Sequence, residues 1–299
     1  MAITKNMMTN QMTSIYLLSN DQDIHWGLTV STVGYQHIAP GEAYPPKGHP
    51  QAYSFQAGRG RVLDEYQFVY ISRGRGVFES KSFGQATVGE GDMFLLFPGE
   101  WHNYQPDEAT GWDEYWIGFK GLNIDSRVSN GFFLPREPVF HVGLNEDIVR
   151  LYRNAITIAS EQGIGFQQML GGVANMLQGC AFALNRHNTF EDQQATEAIH
   201  KAKIIMTEKF NEKIGPTDVA DAINMGYSKF RRLFKEYTGY APLQYLQELR
   251  LQRSKQLLVG TDLSLTEIAD RVGYDNADYF SAAFKKKNHI TPANFRKKR

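Results

Sequence analysis

Ser228, Arg231, Arg232 and Lys235 are close neighbours near the end of the chain. On a helix turning about 100° per residue they share one face, opposite Phe230, Leu233, Phe234 and Tyr237. A hydroxyl and three cations on one face suit contact with base edges and phosphates. An arginine fork donates bidentately to guanine O6 and N7, worth roughly 1–3 kcal/mol of base discrimination. Taken alone, such a charge run is just as readily a solvated helix face. A repeat decides between the two.

The elements that must hold those side chains occur twice. The first copy reads Asp218-Val219-Ala220-Asp221-Ala222-Ile223, then Phe230, Phe234-Lys235 and Pro242. The second reads Glu267-Ile268-Ala269-Asp270-Arg271-Val272, then Phe280, Phe284-Lys285 and Pro292. Asp218 and Glu267 are 49 residues apart, Phe230 and Phe280 are 50 apart, so one residue was gained between them. A turn tolerates such a gain, and each copy reads as helix, tight turn, helix. Ala220 and Gly226 suit a close helix approach and a sharp turn.

Two helices are thereby offered to DNA. The outward face of the second carries Asp278, Ser281, Ala282 and Lys285, with one cation. Asp278 could accept from a cytosine amino group or cap its helix. Lys285, Lys286 and Lys287 suit phosphate contacts, which position rather than specify. Between the copies, Pro242 to Leu258 carries Leu243, Leu246, Leu249 and Leu257 as the stripe of a helix that would set the spacing of the two units.

A chain of 299 residues accommodates two domains, and its net charge of +0 hides an asymmetry. Residues 191–299 hold 19 Lys and Arg against 14 Asp and Glu, and residues 1–190 hold 13 against 18. An acidic half joined to a basic half fits a sensor attached to a nucleic-acid binder. The one cysteine, Cys180, excludes an internal disulfide framework, and its apolar setting suits a buried thiol rather than a nucleophile. No run approaches ~18 apolar residues, so no membrane span or membrane partner is expected. The polar start, Met1 to Gln11, lacks a signal-peptide core, which points to the cytoplasm.

Residues 24–120 read as strands, rich in aromatics and punctuated by Gly and Pro. Tyr66 to Ile71 is a strand that Arg73-Gly74-Arg75-Gly76 turns into Val77-Phe78-Glu79. Gly89 to Asp92 is a further turn before the apolar run Met93 to Phe97, and Trp112 to Phe119 is another strand. Short antiparallel strands at this spacing make a small barrel or jelly roll. From Asn145 the period turns helical, through Ile148, Leu151, Tyr152, Ala155 and Ile158, then Met169, Val173, Met176, Leu177 and Cys180. The expected domains are 1–143, a barrel; 144–188, helices; 189–196, a connector without apolar periodicity; and 197–299, the paired helix-turn-helix units.

Residues 197–299 resemble the DNA-binding domain of the AraC/XylS family of bacterial transcription regulators. The resemblance rests on Asp218-Val219-Ala220, Arg232-Leu233-Phe234-Lys235, Thr238-Gly239, Pro242, Tyr245-Leu246, Leu249-Arg250-Leu251 and Ile268-Ala269. It continues through Val272-Gly273-Tyr274, Tyr279-Phe280-Ser281, Phe284-Lys285, Thr291-Pro292 and Phe295-Arg296. There are departures: Ala282 stands where the family often has arginine, Gly226 where a capping serine is usual, and Ser254 where alanine is usual.

The first half resembles the family's cupin-like effector domain, through Gly91-Asp92, Pro98-Gly99-Glu100-Trp101-His102 and Trp112-Asp113-Glu114-Tyr115-Trp116. The resemblance implies an α+β protein of two domains, a cupin-like β-barrel with packed helices and an all-α tandem helix-turn-helix domain. It places ligand contacts at Arg59, Tyr104, Glu114 and Trp116, with Arg61 competing for the place of Arg59. Those groups suit a sugar, since carboxylate and guanidinium bind vicinal hydroxyls while an aromatic face covers the ring.

The expected protein is thus a ligand-responsive regulator, an activator of carbohydrate-utilisation genes. It would be a homodimer through helices 145–187, with double-stranded DNA, a sugar effector and RNA polymerase as partners. No cofactor and no metal is expected, and no catalytic residue. Metal-dependent cupin enzymes need about four ligands, of which only His102 is in place. A cupin metalloenzyme with a DNA-binding tail, or a regulator whose barrel only dimerises, are the alternatives.

Overall fold

The computed structural model describes residues 12–45, 59–189 and 193–297. The polar start, the connector residues 190–192 and part of the expected strand region, 46–58, lie outside the described residues. The chain divides after Thr189 into two compact units.

The first unit runs β1 (Met12–Tyr16), α1 (Asp21–His25), β2 (Thr29–Ile38), β3 (Arg61–Val62), β4 (Tyr66–Ser80), β5 (Gly84–Gly89), β6 (Asp92–Leu96), β7 (Trp101–Pro106), β8 (Trp112–Lys120), α2 (Leu122–Ser129), β9 (Val139–His141), α3 (Glu146–Glu161) and α4 (Phe166–Thr189). All the pairings are antiparallel. One layer has the order β1-β2-β8-β4-β6-β9, while β5 and β7 flank the far half of β4 and β3 joins β7.

Strand β4 belongs to both layers. Tyr66–Ile71 pairs with β8, and Arg75–Ser80 pairs with β5. The expected turn at Arg73–Gly76 is therefore a bend within one long strand. A register shift between Ile71 and Arg73, with Gly74 at φ +81°, swings the strand from one layer to the other without breaking the ladder. Gly76 has no room for a side chain there, since a Cβ would lie 2.2 Å from the Gln105 carbonyl oxygen.

Alternation sorts the strand residues into two cores. Phe68, Tyr70, Tyr115, Ile117 and Phe119 face outward onto α3 and α4, where they meet Ile148, Tyr152, Leu170 and Leu177. Val69, Ile71, Phe78, Phe94, Tyr104, Trp112 and Trp116 fill the space between the layers. The amide of Gln167 on α4 locks the helices to the sheet, accepting from Val30 N at 2.9 Å and donating to the Leu18 and Val30 carbonyls.

The second unit runs α5 (Gln193–Lys209), α6 (Pro216–Ala222), α7 (Tyr227–Thr238), α8 (Pro242–Gly260), α9 (Leu265–Arg271), α10 (Ala277–Asn288) and α11 (Pro292–Arg296). The helix begins earlier than the expected boundary at 197, because Ala195, Thr196 and Ile199 are buried and draw residues 193–196 into α5. Two small cores share the long α8. Val219, Ala220, Phe230, Phe234 and Leu246 form one, and Leu251, Leu258, Ile268, Phe280 and Phe284 the other. Arg250 ties α8 to the chain after α5, with Nε donating to the Phe210 carbonyl at 2.7 Å and Nη2 to that of Glu212 at 2.9 Å. Arg296 likewise donates to the Leu258 and Leu263 carbonyls. Ser254 is buried without penalty, since its hydroxyl donates to the Leu251 carbonyl at 2.8 Å.

Candidate nucleic-acid interface and effector pocket

The pairs α6–α7 and α9–α10 repeat with an offset of 49 residues at the first helix of each pair and 50 at the second, so the extra residue sits in the second turn. The left-handed residue of each turn is Asn224, at φ +54°, and its counterpart Gly273, at φ +80°. Gly226 is thus not the sharp corner. At φ −58° it is the N-cap of α7, with no side chain to satisfy the first turn.

On α7, Phe230, Leu233 and Phe234 are buried, and Ser228, Arg231, Arg232 and Lys235 all lie exposed on the other side. Arg232 keeps a loose ion pair with Glu236 at 3.5 Å, of the exposed kind that costs little to break. On α10, Phe280 and Phe284 are buried, while Asp278, Ala282 and Lys285 are exposed and Ser281 is half-buried. Lys287 pairs with Glu248 of α8, so of the three lysines Lys285 and Lys286 point outward without an ion pair among the described residues. Asp278 does not cap its helix. The cap is Asn276, whose side-chain oxygen accepts from Tyr279 N at 2.7 Å.

The space between the sheet layers holds a polar cluster walled by aromatic rings. Arg61 of β3 stands across from His102 of β7. Its Nη2 donates to the Tyr104 hydroxyl at 2.8 Å, and its Nε reaches His102 Nε2 at 3.4 Å. His102 Nδ1 lies 3.1 Å from the Glu100 carbonyl and donates to it, which leaves Nε2 as the acceptor. Burial, and then the Arg61 charge, push the imidazole pKa down to about 3, so it stays neutral. Among the described residues no three His, Cys, Asp or Glu side chains come together as a metal would need.

Glu114 projects inward from β8, and Tyr44 donates to its Oε1 at 3.3 Å. Burial raises the Glu114 pKa to about 8, against the opposing pull of Arg61 and of the Tyr44 hydrogen bond. Gln36 on β2 lies directly across from Glu114. Their exposures are 2% and 3%, and Gln36 Nε2, Glu114 Oε2 and the indole nitrogen of Trp112 find no hydrogen-bond partner among the described residues. Burying such atoms unpaired costs roughly 1–3 kcal/mol each, which a polar guest would recover. Tyr44, Tyr104 and Trp112 enclose the cluster, with Tyr44 edge-on to Trp112 at 5.9 Å.

Of the expected ligand contacts, Tyr104, Glu114 and Trp116 come together inside. Trp116 lies against bare backbone, since a Cβ on Gly34 would stand 2.2 Å from its Cζ2. Arg59 does not join them. It is exposed, its carbonyl accepts from the Trp101 indole at 3.0 Å, and Arg61 takes the inner place. Arg59 and Arg61 are two positions apart, so alternation would put both on one face and cannot say which turns inward. Tyr44, Gln36 and Trp112 are not among the expected ligand contacts. Alternation with Glu114 on β8 carries a signal for Trp112, and pairing across to β2 carries one for Gln36. Tyr44 comes from a loop with no period and gives none.

A sheet domain with a buried polar cluster, followed in the chain by paired helix-turn-helix units, has the make-up of a transcription regulator that binds DNA and responds to a ligand. The chain matches the AraC-like ligand binding domain over residues 49–174 and a helix-turn-helix domain over 219–298. It belongs to the AraC family of transcription regulators. It is 27% identical to the raffinose operon transcriptional regulatory protein RafR of Pediococcus pentosaceus, over 79% of this chain and 86% of that protein. The Msm operon regulatory protein of Streptococcus mutans is 25% identical, over 79% and 85%. The arabinose operon regulatory protein of Escherichia coli is 26% identical, over 75% and 77%.

Proposed function

We propose that the barrel takes a sugar or a similar polyol and that its occupancy sets how the second unit engages an operator, activating genes for carbohydrate use. The unpaired atoms of Gln36, Trp112 and Glu114 beside the Arg61–Tyr104 pair carry this reading. They offer donors and acceptors at close spacing, and aromatic rings flank them to cover the C–H faces of a pyranose. Two relatives, regulators of raffinose and arabinose operons, support the same ligand class. Such an effector acts only by favouring one arrangement of the DNA-binding units over another.

The protein works as a cytoplasmic homodimer that recruits RNA polymerase and performs no catalysis. For the dimer, α4 offers an exposed face of Met169 and Met176, 57% and 58% exposed, with Gly172, Gly179 and Ala183 in line. No helix of the described residues is long and apolar enough to cross a membrane.

A melting-temperature screen over mono- and oligosaccharides tests the ligand, because a ligand of the native state stabilises it by RT ln(1 + [L]/Kd). A sugar that raises the melting temperature of the chain and leaves the Glu114→Ala variant unmoved supports the assignment. A barrel indifferent to every polyol, in a chain that still binds DNA as a dimer, would mean that the barrel serves only to dimerise.

A further inference from the structure

Resting on the DNA-binding reading above, we propose that Asp278 gives the second unit a base preference of its own, for cytosine. The residue was open to two roles, and the structure removes one, because Asn276 at φ −155° already holds the cap through its bond to Tyr279 N. Asp278 therefore sits one position inside α10, exposed, with no hydrogen bond or ion pair to any described residue. It occupies the place that Ser228 holds on α7, 50 residues earlier. Around the helix it shares the outward face with Ala282 and Lys285, opposite Phe280 and Phe284.

A carboxylate on that face meets a polyanion, and phosphates repel it. It is tolerated at the interface only against a hydrogen-bond donor, and in the major groove the donors are the amino groups of cytosine and adenine. Adenine flanks its amino group with the N7 acceptor, whose lone pair opposes the second carboxylate oxygen. Cytosine presents N4–H2 with no acceptor of its own beside it, and guanine and thymine offer the groove no donor at all. Ala282, a bare methyl one turn along, lets the helix settle close enough for the short aspartate to reach a base. The positive end of the helix dipole steadies the charge, and Lys285 and Lys286 hold the flanking phosphates.

Sequence selection from a random DNA pool tests this with the full chain, Asp278→Asn, Asp278→Ala and Arg231→Ala. The intact chain should select cytosine at one position in the half of the site opposite the second unit. Changing that cytosine to thymine should weaken binding about 5- to 150-fold. Asp278→Ala should lose the preference at that position alone. Asp278→Asn, nearly the same size, should move it from cytosine to adenine, whose N6 and N7 match an amide. Asn276 stays in place in both variants, so α10 keeps its cap.

The proposal is overturned if Asp278→Ala keeps every base preference of the intact chain, or binds all sequences uniformly tighter. The second result would mean that the carboxylate only repels the backbone. If the intact chain selects no sequence and Arg231→Ala changes nothing, it is the DNA-reading assignment itself that has failed.

Discussion

Arg61 Nη2 donates to the Tyr104 hydroxyl at 2.8 Å, and this bond fastens the short β3 to the inner face of β7. A guanidinium held by a buried phenol keeps one direction, which a flexible surface arginine does not. Arg61→Ala should therefore weaken binding of the sugar found by the melting screen by about 10- to 150-fold, as expected for loss of a charge-assisted hydrogen bond of 1.5–3 kcal/mol. Arg59→Ala should leave the dissociation constant unchanged. Titration calorimetry on both variants checks the pair, and equal losses would sink the distinction.

Glu114 makes stability depend on pH in a definite direction. Its pKa is about 8 when folded against 4.5 for an ordinary carboxyl, so the native state holds the proton longer than the unfolded chain does. The stabilisation this represents is complete below about pH 4.5 and is lost as pH rises toward 8. His102, about 3 when folded and 6.5 otherwise, acts only below 6.5. Between pH 6.5 and 8.5 the melting temperature of the barrel should fall with rising pH, and Glu114→Gln should flatten that fall. An unchanged slope in the variant would assign the effect to another group.

The two reading helices should answer mutation differently. Arg231→Ala and Arg232→Ala should each relax base preference in one half of the site. Lys285→Ala should weaken binding to all sequences alike and lower the slope of log K against log salt by roughly 0.9, the value of one phosphate contact. Fluorescence titrations at several salt concentrations, on selected and scrambled DNA, separate the outcomes.

Arg250 carries structure rather than recognition. Removing its guanidinium leaves the Phe210 and Glu212 carbonyls without their donor, a loss of about 2–3 kcal/mol. Arg250→Ala should lower the thermal transition of the helical unit while the barrel's transition stays put. Arg250→Lys should rescue little, since one ammonium cannot reproduce a fork that serves two carbonyls.

The helical unit was legible because its signals are periodic. Phe230 and Phe234 recur as Phe280 and Phe284, and a buried face at that spacing fixes where the opposite face points. The cap of α10 was not legible, since Asp275, Asn276 and Asp278 are all capable of capping and only packing chooses among them. Trp112, Glu114 and Trp116 could be placed on one face by alternation along β8. The bend in β4 was misread as a turn because glycines at 74 and 76 mark both, and which one forms depends on strands that arrive from elsewhere in the chain. The same holds for Gln36, which joins the buried polar cluster only through its register with Glu114.

Gly34 and Trp116 interlock, backbone against indole, with no space for even a methyl group between them. Position 34 is therefore fixed whatever stands at 116, because a Cβ there would also lie 2.3 Å from the Thr13 carbonyl oxygen of β1. A small residue at 116 would in turn open a void above the naked strand. Any reshaping of this wall for a new ligand runs through 116 alone. Libraries that diversify 34 would fill with chains that cannot close the sheet.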